Sequence, residues 1–284
     1  MSRQPWRLLP TTGSPGPDPA QEVVDLGHGR TILFVHGDLF EHWFLPVAAH
    51  PALAGCRRVL SRRAEPLSTL GPPMLIGEHA AAFAATLDAL DVADAHVCGH
   101  SFGALVALQL AAGPTGDRVR SLVLLEPAPA GALTDPDTTE AGRRALGPAM
   151  AAIAAGDLEA GYDRFVTAVG RPDHRAVTLD AIGPQAVAES VLRARSLLAL
   201  GAAAGQWDLI LDEAAITKPV LLLAGGMSRE LAAYAPPTVP RLHRLLPHAR
   251  VVELPRTTHL MPLENPGGVA HQIAAFTREV DPAT

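Results

Sequence analysis

The sequence predicts an α/β fold built on a mostly parallel, doubly wound sheet. Two observations carry this. Short runs that are almost wholly apolar recur along the chain, as expected of strands covered by helices on both faces. Segments with apolar residues at helical spacing alternate with them. In order, residues 1–21 are rich in Pro, Gly and Ser and read as a poorly ordered lead-in. EVVDL (22–26) and TILFVH (31–36) read as strands joined by the turn Gly27-His28-Gly29, and RRVLS (57–61) as another. EHAAAFAATLDAL (78–90) has the spacing of a helix. AHVCG (95–99), SLVLLE (121–126), PVLLLAG (219–225) and RVVELP (250–255) continue the strand series, and a helix closes the chain.

One interval breaks the rhythm. TEAGRRALGPAMAAIAAG, DLEAGYDRFVTAVG and PQAVAESVLRARSLLALGAAAG read as three or four helices with no strand among them. The expected organisation is therefore a core of residues 22–128 and 207–284, with a helical insertion, 129–206, over one end of the sheet.

Composition narrows the function classes. A chain of 284 residues with 48% hydrophobic content has ample material for a core. The formal net charge of −6 argues against an electrostatic nucleic-acid binder. Arg57-Arg58 and Arg62-Arg63 read as solvated surface, with an anion site as the alternative. Cys56 and Cys98 supply neither a disulfide framework nor metal-ligand spacing, so no metal is expected. The N-terminal stretch lacks the apolar segment of a secretory signal, and no run reaches the about 18 apolar residues that span a bilayer. A soluble, cytoplasmic protein without membrane partners is expected, and nothing indicates its oligomeric state. A single lysine, Lys218, against many Arg, Ala, Gly and Pro suggests a GC-rich bacterial gene.

The chemistry concentrates in HVCGHSFGALVALQLA (96–111). Ser101 stands between Gly99 and Gly103 where an apolar run gives way to a helical pattern. That is the G-x-S-x-G form of a nucleophile elbow, in which glycines permit a sharp strand-to-helix turn. The incipient helix aims backbone N–H groups at a developing oxyanion. A serine hydroxyl needs a general base. Of the twelve histidines, His259 is the candidate, because it follows the last strand in RTTHLMPLENP. His36 reads as shaping its turn and His100 as packing or pocket lining. His28, His42, His50, His79, His174, His243, His248 and His271 show no chemical context.

These motifs together resemble the α/β-hydrolase superfamily, from about residue 22 to 280. FVHGD (34–38) is similar to its His-Gly oxyanion loop, GHSFG to its elbow, THLMPLENP to its catalytic-histidine segment, and the helical insertion to its cap. The resemblance implies an α/β-hydrolase fold and a serine esterase-type triad with no cofactor and a small-molecule substrate. It implies an oxyanion hole from the backbone N–H groups of Asp38 and Phe102. The insertion's helices, rich in Ala and Leu with few charges on one face, are expected to cover Ser101 and line its pocket with residues such as Met150, Phe165, Leu197 and Trp207, with His100 as a further candidate.

The chain departs from the family pattern in three places. Asp38 puts a carboxylate beside the oxyanion hole. SRRAEPLS (61–68) lacks the glycines usual in that loop. And the acid expected after PVLLLAG is missing, with Ser228 in its place. Some superfamily members carry the acid one strand earlier, which here is Glu126 at the end of SLVLLE; Glu230, two residues beyond Ser228, is the alternative. Glu264 and Asp25 read as lying outside the site. The expected function is hydrolysis of an ester, lactone or thioester through an acyl-enzyme. The alternatives are an acyl-transferring or cyclising enzyme and a non-catalytic ligand-binding protein.

Overall fold

The computed structural model describes residues 7–8, 22–62, 75–198 and 213–282. Its strands are β1 (Arg7–Leu8), β2 (Glu22–Leu26), β3 (Arg30–Val35), β4 (Cys56–Ser61), β5 (Ala95–His100), β6 (Val119–Leu125), β7 (Val220–Gly225) and β8 (Arg250–Leu254). They form one sheet in the order β1-β2-β4-β3-β5-β6-β7-β8. From β4 to β8 every pairing is parallel, while β2 runs antiparallel to β4 and β1 to β2. The expected strands are all present. The lead-in departs from expectation at Arg7–Leu8, which adds a short strand to the sheet edge. Although the Gly27–Gly29 turn links β2 to β3, β2 pairs with β4.

Two-residue periodicity sorts the strands onto two cores. Leu33, Val35, Val97, Leu122, Leu124 and Leu222 face one cluster with helices α2 (Ile76–Ala89) and α3 (Phe102–Ala112). Ile32, Phe34, Cys98, Val123, Leu125, Leu221 and Leu223 face the other, with α1 (Leu45–Ala48) and the C-terminal helix Pro266–Val280. Both faces are thus dry, which explains why the runs are apolar without alternation. A helix between consecutive parallel strands returns the chain to the same edge each time. The carboxyl ends of β3, β5, β6, β7 and β8 therefore line up along one rim, where ligand sites of open α/β sheets form.

Between β6 and β7 lie α4 (Pro136–Ala154), α5 (Leu158–Val169) and α6 (His174–Arg193). Asp135 and Asp157 cap the first two through hydrogen bonds to Thr138 N and Ala160 N. Gly183, at φ 81°, kinks α6 just before Pro184. The three helices bury a third cluster, which includes Tyr162, Phe165, Val187 and Val191, against Leu39, Phe40 and Trp43 after β3 and Leu260 and Leu263 after β8. No described helix is long and apolar enough to cross a membrane.

Candidate active site

The elbow shows why its glycines are required. A Cβ on Gly103 would lie 2.1 Å from Val35 O and 2.5 Å from His36 O; one on Gly99 would lie 2.6 Å from Gly103 O. All three neighbours are backbone atoms and cannot move aside. The first turn of α3 is thus pressed against the end of β3, and only hydrogen fits between them. Ser101 takes the strain of the turn at φ 56°, ψ −121°, a conformation that costs about 1–3 kcal/mol and persists where surroundings over-determine it. Its N–H donates to Leu125 O, and its carbonyl accepts from Ala104 N and Ala128 N. Gly37, at the end of β3, packs on it so closely that a Cβ there would meet Ser101 Cβ at 3.1 Å.

Glu126 is the second strained residue, at φ 36° directly after β6. Its backbone N–H donates to Leu223 O of β7 at 3.1 Å. Its carboxylate is fully engaged. Oε1 accepts from Gly225 N at 2.8 Å and Ser228 Oγ at 2.6 Å; Oε2 meets His259 Nδ1 at 2.9 Å. Burial by itself would raise this carboxyl, but the hydrogen bonds from His259, Ser228 and Gly225 outweigh it and hold the acid below its ordinary range. Ser228 thus supplies a hydroxyl to the carboxylate of a neighbouring strand. Glu230, the alternative acid, is exposed in the short helix Ser228–Leu231 and does not reach His259. Among the described residues, the carboxylate that hydrogen-bonds the His259 ring is that of Glu126.

His259 arrives on the loop between β8 and the helix Met261–Glu264. Glu126 accepts from its Nδ1, so the other ring nitrogen, Nε2, is not engaged by the carboxylate. His100, expected only to pack or line a pocket, is fully buried and donates from Nε2 to the His259 carbonyl at 3.0 Å. The two rings are 4.4 Å apart. Burial, together with the nearby His259 and His36, pushes His100 well below the usual histidine range, so it stays neutral. Glu126 and His259 are therefore joined by a hydrogen bond, while the Ser101 backbone is bonded to Leu125 and Ala128 on either side of Glu126 and its neighbour His100 is bonded to His259.

Asp38 is half-buried directly after Gly37, and Phe102 is buried as the first residue of α3. Phe40 stacks on Trp43 at 3.7 Å and lies 6.5 Å from the His259 ring and 6.2 Å from Phe165 of α5. Met150 and Leu197 belong to the same cluster. Trp207, and residues 63–68 of the expected loop, lie outside the described residues.

Sequence reasoning missed a buried ionic group that begins three residues beyond Asp38, at Glu41 and His42. The Glu41 side chain is 1% exposed, with Arg193 Nε at 2.6 Å and Arg62 Nε at 3.7 Å. Glu189 of α6 meets His42 Nε2 at 2.9 Å and Arg62 Nη2 at 3.1 Å. Burial raises the Glu41 carboxyl despite its two arginines, and burial likewise lowers His42. One ligand atom each of Glu41, His42 and Glu189 lie within 4.8 Å of one another. Two guanidinium groups already balance the two carboxylates, so the cluster is an ionic tie between α6 and the loop after β3, with no charge left to attract a cation. Its members come from the residue after β4, from α6 and from the β3 loop, and no local pattern marks them.

Residues 32–272 match the family described as the Alpha/beta hydrolase family. The chain is 30% identical over 268 residues to the dihydrolipoyllysine-residue acetyltransferase component of an acetoin cleaving system from Pseudomonas putida, covering 88% of this chain and 64% of that one. Among solved structures it is similar to a thermophilic esterase from Thermogutta terrifontis, with TM-score 0.70, 22% identity and coverage of 97% and 99%. It is also similar to the enol-lactonase from Burkholderia xenovorans LB400, with TM-score 0.69, 20% identity and coverage of 90% and 96%.

Proposed function

Because this chain belongs to the α/β-hydrolase family, we propose that it is a serine hydrolase acting on an ester, lactone or thioester of a small or medium organic substrate. Ser101 attacks the carbonyl, His259 Nε2 takes its proton and returns it to the leaving group, and Glu126 fixes the imidazole tautomer and balances the imidazolium. The backbone N–H groups of Phe102 and Asp38 receive the oxyanion. Helices α4–α6 act as a cap, with Phe165 of α5 packed on Phe40, whose ring lies against that of His259. The observation that supports this reading is the 2.9 Å bond between Glu126 and His259, together with a serine held at positive φ whose backbone bonds to Leu125 and Ala128 around Glu126. No step calls for a metal or organic cofactor.

The direct test is labelling by a fluorophosphonate. Wild-type protein reacts at Ser101 and Ser101→Ala does not. A variant that labels as fast as wild type overturns the assignment, and silence of both proteins supports a non-catalytic ligand-binding role. Acyl transfer is the second reading, favoured by the acetyltransferase component among the relatives and by the apolar cluster around His259. Product analysis with added alcohols, amines and thiols separates it from hydrolysis: transfer gives the acylated acceptor in preference to the free acid.

A further inference from the structure

Glu264 reads in the sequence as lying outside the site, yet the structure places its carboxylate against the loop that carries His259. The side chain is 4% exposed, and both oxygens are used. Oε2 accepts from Thr258 N at 2.5 Å and from Thr258 Oγ1 at 3.1 Å. Oε1 accepts from Arg171 Nη1 at 3.0 Å. Arg171 lies in the turn between α5 and α6, and its remaining fork is held by Asp173 through Nε and Nη2 at 2.5 and 2.8 Å. The Thr258 hydroxyl oxygen in turn accepts from Leu260 N at 3.2 Å, and His100 holds the His259 carbonyl.

We propose that Glu264 and Arg171 form a positioning pair for His259, in which the helical segment α4–α6 fixes the backbone that aims the base. The proposal rests on the reading of His259 as general base. The argument is one of accounting for backbone groups around a single residue. The N–H on its amino side is held by a carboxylate, its own carbonyl by a buried imidazole, and the N–H on its carboxyl side by the threonine hydroxyl. Once those are set, the imidazole direction relative to Ser101 follows from the side-chain rotamer alone, and Glu126 selects that rotamer. A carboxylate suits the role better than an amide, because a charge-assisted bond to a backbone N–H is about twice as strong as a neutral one. A carboxylate this buried also needs a cation, since unpaired it would be costly to keep ionised. That cation comes from a turn 93 residues away in sequence. The helical segment therefore does more than cover the site: it completes the support of the base.

The test is steady-state kinetics on the full chain with a small ester, comparing wild type, Arg171→Met, Glu264→Gln and the double variant well below their melting temperatures. Glu264→Gln keeps an acceptor for Thr258 N, so the fold is retained. Each single change lowers kcat about 10- to 100-fold with KM within twofold of wild type, the scale of a misplaced catalytic group. The double variant is no worse than Glu264→Gln, because the two act as one unit. Unchanged kcat with only a lowered Tm, or effects that multiply in the double variant, would overturn the pair. A wild type that neither turns over esters nor takes the fluorophosphonate sinks the hydrolase reading instead. Hydrogen exchange at residues 258–260 then decides the pair by itself: faster exchange in Arg171→Met supports it, and unchanged exchange overturns it.

Discussion

Replacing Glu126 by Gln exchanges one oxygen for a nitrogen, and the structure dictates which one. Oε1 accepts two hydrogen bonds, from the Gly225 N–H and the Ser228 hydroxyl. An amide nitrogen cannot accept either, so the amide oxygen occupies the Oε1 place and the NH2 group turns toward His259 Nδ1. A donor now faces that nitrogen, and the imidazole answers by carrying its proton on Nε2, the atom that must accept from Ser101. The variant keeps its shape and loses its base. An Asp-to-Asn change of this kind in a serine protease triad costs ~10⁴ in kcat, and we expect a loss of ~10³–10⁴ here, about 4–5.5 kcal/mol of transition-state stabilisation. KM changes little, because Glu126 touches the imidazole and not the substrate. The assay is ester hydrolysis together with the rate of fluorophosphonate labelling, which falls in parallel because labelling needs the same base. Glu230→Gln, the control, stays within about twofold of wild type, as surface changes away from the site do. A Glu126→Gln enzyme with near-normal kcat, alongside a crippled Glu230→Gln, would refute the reasoning.

The remaining predictions concern buried charge. Glu41→Gln removes the partner of Arg193 and lowers stability by about 3–5 kcal/mol, whereas Glu41→Leu combined with Arg193→Met is close to neutral, because well-packed apolar groups replace a buried ion pair at little cost. Urea unfolding measures both, and equal losses in the single and double variants would contradict the pairing. His96 is buried on β5 with its Nδ1 2.8 Å from Ser121 Oγ, and burial lowers its pKa from 6.5 to about 4. A histidine whose folded pKa is depressed stays neutral in the native state while the unfolded chain gains a proton. Its contribution is whole above pH 6.5 and is lost as pH falls toward 4, on the order of 2 kcal/mol by pH 5. His96→Gln therefore shows a smaller fall in Tm between pH 7 and pH 5 than wild type, and an unchanged difference would refute this origin.

The acid shows how far residue patterns reach. Two acids, Glu126 and Glu230, satisfy chain order equally well, and the choice between them depends on a bond spanning 133 residues. Ser228 looks like a loss when compared with the family pattern. In the folded chain it is one of the two donors that hold Oε1 of the relocated carboxylate, a role that needs β6 and β7 side by side. Glu264 illustrates the opposite case: it stands five residues from His259, and nothing local in the sequence shows that the loop folds back onto it. The Glu41 group is further from view, since its five members come from three separated elements.

What the sequence by itself determined is the part governed by near neighbours. Apolar runs without alternation specify strands buried on both faces, helical spacing specifies the helices between them, and Gly99-His100-Ser101-Phe102-Gly103 specifies a turn that only those glycines allow. The placement of Ser101 after β5 and of His259 after the last strand is legible for the same reason: both follow strands, and the carboxyl ends of parallel strands share one rim. Strand order was not legible, and β2 passes its neighbour in sequence to pair with β4. Everything that depends on that order was decided by tertiary structure alone. Which carboxylate meets the imidazole, which cation balances a buried acid, and which helix braces which loop are set by contacts across about 90–150 residues, where pattern carries no register and only packing brings the partners together.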